Sequence, residues 1–105
     1  MTTTEIMIAR IYTLEGHDQL NRVLNILHDE EKVIGVTVFR GVAGMGITGE
    51  IHTAMLVDLS LELPLIIEFY DEPQKVKKAI KTLQTRLNLR HIVSWSATAH
   101  IHSNS

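Results

Sequence analysis

Two stretches of this chain, Ile6 to Thr13 (IMIARIYT) and Leu65 to Tyr70 (LIIEFY), carry apolar side chains on both faces when read as strands. A strand of that kind needs cover on two sides. The chain offers only two amphipathic helices to supply it. The first places Leu20, Val23, Leu24 and Leu27 at helical spacing and ends near Lys32, with Asp18 its expected N-cap and Gly35 suited to a helix stop or strand entry. The second opens at Asp71-Glu72-Pro73, since proline fits a first helical turn. It aligns Val76, Ile80, Leu83 and Leu87, leaving Lys75, Lys77, Lys78 and Lys81 on a solvated face.

Val36 to Arg40 (VTVFR) reads as a second strand and runs into the glycine-rich segment Gly41 to Gly49; Pro64 opens the third strand. His91 to His102 alternates: Val93, Trp95, Ala97, Ala99 and Ile101 share one face, and Ser94, Ser96, Thr98, His100 and His102 the other. The order βαββαβ is that of an α+β, ferredoxin-like fold, a four-stranded antiparallel sheet with two helices on one face. The second face is then apolar and open, so a homo-oligomer of closed symmetry is expected.

A chain of 105 residues is expected to form a single domain over 1–105, with a loop at about 41–60 and a frayed tail at 103–105. Its apolar content of 45% argues against disorder. Ten Lys and Arg against twelve Asp and Glu, with no basic block, point away from nucleic acid. The absence of cysteine removes thiol nucleophiles, iron–sulfur clusters and thiolate zinc sites, and fits a cytoplasmic location. No segment reads as a signal peptide or membrane span, because Met1 to Glu5 lacks a basic region and Arg10 breaks the apolar stretch.

Within the glycine segment, Gly44-Met45-Gly46-Ile47-Thr48-Gly49 matches the dinucleotide fingerprint G-x-G-x-x-G, with Glu68 and Asp71 about twenty residues on. Residues 51–61 lack the clean apolar stripe of a crossover helix, and the segment lies mid-chain rather than in the first βα turn. Two other readings stay open: a flexible connection that binds nothing, and a concave nest of bare N–H groups that accepts an anion.

Gly35-Val36-Thr37-Val38-Phe39-Arg40-Gly41-Val42-Ala43-Gly44-Met45-Gly46, then Ile51-His52-Thr53, then Leu63-Pro64-Leu65-Ile66-Ile67-Glu68-Phe69, closely resemble the PII-like proteins of domain of unknown function 190. The likeness covers about residues 5–102 and extends, more distantly, to the nitrogen regulatory PII proteins. It implies a homotrimer with inward-facing sheets, small-molecule clefts between subunits and a signalling role. The effector would be a small anionic metabolite, an adenine nucleotide among the candidates, with no other cofactor. A mobile loop would contact a target: a membrane transporter or channel, or an enzyme. PII proteins grip nucleotide phosphates with a second glycine-rich loop, whereas Leu87-Asn88-Leu89-Arg90-His91 is short and glycine-free. Only the base of the first loop carries over, so the ligand residues it implies are Arg40, Gly41, Gly44 and Gly46.

His100 and His102, two apart in a strand, share a face and could chelate a divalent metal with His52 or His91 from a neighbouring subunit, in a CutA-like trimer. Arg10, Arg40 and Glu68 interrupt otherwise apolar strands and need partners: ion pairs within or between subunits, or for Arg40 an anionic ligand. Trp95 is expected in the core or a subunit interface. No Ser/His/Asp elbow, motif-placed carboxylate pair or P-loop is present, which points away from an enzyme while leaving an interface-site enzyme as an alternative.

Overall fold

In the computed structural model, described over residues 2–14, 19–45, 51–53, 63–89 and 91–102, β-rich segments form strands β1 (Thr2–Leu14), β2 (Gly35–Arg40), β5 (Pro64–Asp71) and β6 (Ile92–Ile101). They build one antiparallel sheet in the order β2-β5-β1-β6. A short hairpin, β3 (Ala43–Met45) with β4 (Ile51–Thr53), stands apart within the segment expected to be loop. The chain has the ferredoxin-like α+β fold, with two helices and a four-stranded antiparallel sheet.

The first helix, α1 (Leu20–Asn25), continues as a π-helical stretch over Ile26–Glu30. It stops at Lys32, whose φ of 51° is the left-handed conformation that usually falls to glycine. The Val33 N–H reaches back to the Leu27 carbonyl at 3.1 Å, closing the end. Gly35, expected at a helix stop or a strand entry, opens β2, where a Cβ would collide with the Tyr70 ring. The expected cap Asp18 lies outside the described residues; Gln19 occupies the cap position without a side-chain bond. The second helix, α2 (Pro73–Arg86), starts as expected, with Glu72 as cap and Pro73 in its first turn.

Strand parity fixes what each face carries. Ala9 and Ile11 of β1 and Ile67 and Phe69 of β5 point to the helices, packing against Val23, Ile26 and Leu27 and against Val76, Ala79 and Leu83. All ten are buried. The opposite face has no helix over it. There Ile8 and Arg10 stand beside Tyr70 and Glu68 of β5 and beside Trp95 and Val93 of β6. Tyr12, Phe39, Trp95 and Ile101 are all at least 39% exposed, so a broad apolar surface meets solvent. β1 pairs with β6 along Thr2–Ile11 but with β5 only along Met7–Leu14, so Thr2–Ile6 and Ala97–Ile101 project as a two-stranded ribbon.

Candidate functional site

Arg40 ends β2, opposite Leu65, with the parity of Val36 and Val38 on the helix side of the sheet; its side chain is exposed. The chain then turns at Gly41 into the β3–β4 hairpin, and Pro64 explains the glycines there. The Gly41 N–H donates to the Pro64 carbonyl at 2.7 Å, so that donor is already used. A Cβ at Gly41 would lie 3.2 Å from Pro64 Cβ and Cγ, and one at Gly44 only 2.6 Å from Pro64 Cγ. Gly41 and Gly44 thus pack against the proline ring at the start of β5, with Arg40 paired to the next residue, Leu65. Gly46 and most of segment 41–60 lie outside the described residues. At this corner Arg40 supplies a guanidinium able to hold an anion by paired N–H bonds. The two glycines let backbone approach backbone closely.

The charges expected to need partners separate onto opposite faces. Arg10 lies on the open face, where its Nε donates to Glu68 Oε1 at 2.8 Å. Hydrogen bonds to Glu68 and Tyr12 raise the guanidinium pKa above its ordinary value. The guanidinium carbon lies 5.8 Å from the Phe39 ring centroid and 5.6 Å from that of Trp95, within cation–π range of both. Alternation places Arg10 and Glu68 on one face by their register, a relation visible only once the β1–β5 pairing is known. Where β5 stops beside the ribbon, an open groove of about 430 Å³ is lined by Ile6, Ile8, Tyr70 and Ile101 among others.

The histidines do not converge within one subunit. His100 is exposed near the end of β6 and His102 follows the strand. His91 precedes the same strand, nine residues away from His100 and so roughly 30 Å distant, with its ring 5.2 Å from Tyr12. Among the described residues no group of three His, Asp or Glu side chains is gathered to hold a metal. No helix of the described residues is long and apolar enough to cross a membrane.

Comparison with solved structures supports the fold. CPII, a nitrogen regulatory PII-like protein from Thiomonas intermedia K12 described as bound to ADP, AMP and bicarbonate, superposes with a TM-score of 0.68 at 17% identity. That match covers 95% of this chain and 91% of CPII. A PII-like signalling protein from Thermus thermophilus gives 0.63 at 11% identity, over 94% and 91% of the two chains. The divalent ion tolerance protein CutA1 from Ehrlichia chaffeensis gives 0.62 at 14%, over 94% and 85%.

In sequence, two UPF0166 proteins of Aquifex aeolicus (strain VF5) are similar. One is 37% identical over 59 residues, a match spanning only 56% of this chain and 56% of that protein. The other is 32% identical over 75 residues, 71% of this chain and 76% of its own. The family model described as DUF190, uncharacterized ACR, matches residues 3–99, and with the ferredoxin-like sheet and its two helices this shows that the chain belongs to the DUF190/UPF0166 family, structurally similar to PII-like proteins.

Proposed function

We propose that this chain is a PII-like regulatory protein rather than an enzyme. Copies associate through the open sheet face as a homotrimer. A small anionic metabolite, with an adenine nucleotide the first candidate, binds at the clefts between them. Arg40 supplies the charge that accepts the anion, and the backbone at Gly41, Gly44 and Gly46 shapes the approach. Segment 41–60 carries the response to a target protein when the ligand binds.

The observation that carries the reading is the match, along 95% of the chain, to a fold whose relative is described with ADP, AMP and bicarbonate bound. The exposed Arg40 at the entry to the glycine-rich segment supports it, because a guanidinium can accept an anion by paired N–H bonds. With the Gly41 N–H engaged by Pro64, the anion contact in this reading falls to the Arg40 side chain. Calorimetric titration with ATP, ADP, AMP, cyclic nucleotides and bicarbonate tests this. Binding that weakens about tenfold or more in Arg40→Ala supports the reading. No binding by any of them at millimolar concentration contradicts its ligand class.

A divalent-metal-binding trimer is the second reading. The CutA1 match is nearly as good as those to the PII-like proteins, and His100 and His102 are both exposed at one end of β6. Metal uptake lost in His102→Ala would favour it, whereas the sensor reading expects no change.

A further inference from the structure

The open sheet face holds one cation and one anion among the described residues. On β1, β2, β5 and β6, every other residue with the parity of Arg10 is uncharged. Arg10 and Glu68 neutralise each other within one copy, so the face as a whole is apolar and carries no net charge. Such a surface is complementary to another like itself: two copies can meet without bringing together uncompensated charge. A strongly charged partner would find nothing there to match.

Arg10 on β1 is held from the other three strands of the sheet. Glu68 reaches it from β5, Phe39 flanks it from β2 and Trp95 from β6. The side chains of the pair are only partly covered, at 35% and 25% exposure, so water still solvates the remaining polar atoms. A second copy laid over this face removes that water. An alignment that satisfies those atoms is tolerated, and one that slides Ile or Trp side chains over them leaves a desolvated charge. Apolar contacts alone are nearly indifferent to sliding, because they are non-directional.

We infer that the Arg10–Glu68 pair, clasped by Phe39 and Trp95, sets the single register in which copies of this face pack against one another. The inference rests on the self-association reading above and adds to it a device that selects one assembly among several. The same logic lets one polar residue in an apolar helix seam fix oligomer state at some cost in stability.

The test is native mass spectrometry with sedimentation velocity on the full chain at micromolar concentration, with circular dichroism to confirm folding. The unaltered chain is expected to give one stoichiometry. The double variant R10L/E68L, which replaces the pair by apolar groups, is expected to associate as tightly but to spread over two or more stoichiometries. R10L alone, which leaves Glu68 unpaired under the partner, is expected to weaken association about 100-fold. The isosteric E68Q covers the case in which R10L does not fold, and is expected to weaken it by a smaller factor. The swap R10E/E68R should restore one species. A double variant that forms the same single species as the unaltered chain overturns the register role while leaving self-association standing. An unaltered chain that stays monomeric overturns both.

Discussion

The buried carboxylate of Asp71 accepts the backbone N–H of Ile34 at 3.1 Å, joining the last residue of β5 to the entry of β2 across 37 positions of sequence. Its other oxygen accepts the Glu72 N–H at 2.6 Å, and Lys75 Nζ lies 3.2 Å from Oδ2. Lys75 also donates to the Lys32 carbonyl at 3.1 Å, where α1's extension ends in its left-handed residue. One side chain therefore fastens the start of α2, the end of β5 and the α1–β2 connection together.

Replacing Asp71 by Ala strands two donors at this junction. The expected cost is about 2 kcal/mol of folding free energy, from losing part-buried hydrogen bonds to a charged group. Asp71→Asn, which keeps an acceptor, should cost less. Chemical denaturation of the two variants measures both, and an Ala variant as stable as the unaltered chain would refute the role given to Asp71.

The two faces of the sheet should respond differently to truncation. Leu83 is fully buried between α2 and the sheet, so Leu83→Ala should cost about 3 kcal/mol of stability. Trp95 on the open face is 40% exposed. Trp95→Ala should leave secondary structure intact while weakening self-association about tenfold or more, as loss of a large interface aromatic does. Circular dichroism and sedimentation equilibrium separate the two effects.

Gly44 tests whether packing requires the glycine. Gly44→Ala places a methyl 2.6 Å from Pro64 Cγ and should disturb the turn into the hairpin. Combining it with Pro64→Ala removes the opposing ring and should restore the thermal midpoint towards that of Pro64→Ala alone. If the double variant regains its fold but not nucleotide binding, the glycine also serves the ligand. If it regains both, the glycine is there for Pro64.

Acid should weaken the link between the helices' outer ends. Arg86 donates to Glu30 and holds its carboxyl below the ordinary carboxylate range. A depressed carboxylate pKa adds stability that is present at neutral pH and lost as pH falls through the folded-state value. The denaturant midpoint of the unaltered chain should exceed that of Glu30→Gln by a small margin at pH 7. That margin should shrink towards zero as pH falls below the ordinary carboxylate range. The exposed position of both groups keeps the effect modest.

Much of this architecture is legible in the sequence, because the stripe Val76, Ile80, Leu83 and Leu87 along α2 and its C-cap, the apolar run of β5 and the alternation of β6 are local patterns. The ends are less so. Thr2 to Glu5 extend β1 beyond Ile6, yet all four are exposed and give no apolar alternation to read. The end of the first helix near Lys32 and Gly35 at a strand entry are readable, but the positive φ at Lys32 and the fit of Gly35 against Tyr70 are not. Of the expected ligand residues, Gly41 and Gly44 pack against Pro64 and Arg40 pairs with Leu65 beside it, an arrangement that depends on long-range β2–β5 pairing. For the same reason the Arg10–Glu68 contact could be named as a need for partners but not as this pair.

What covers the open face of the sheet decides whether clefts between copies exist, and native mass spectrometry of the purified chain at micromolar concentration reads that directly. A trimer that releases an adenine nucleotide or another small anion on activation is the predicted result. A stable monomer, its Trp95 and Phe39 still in solvent, would contradict it.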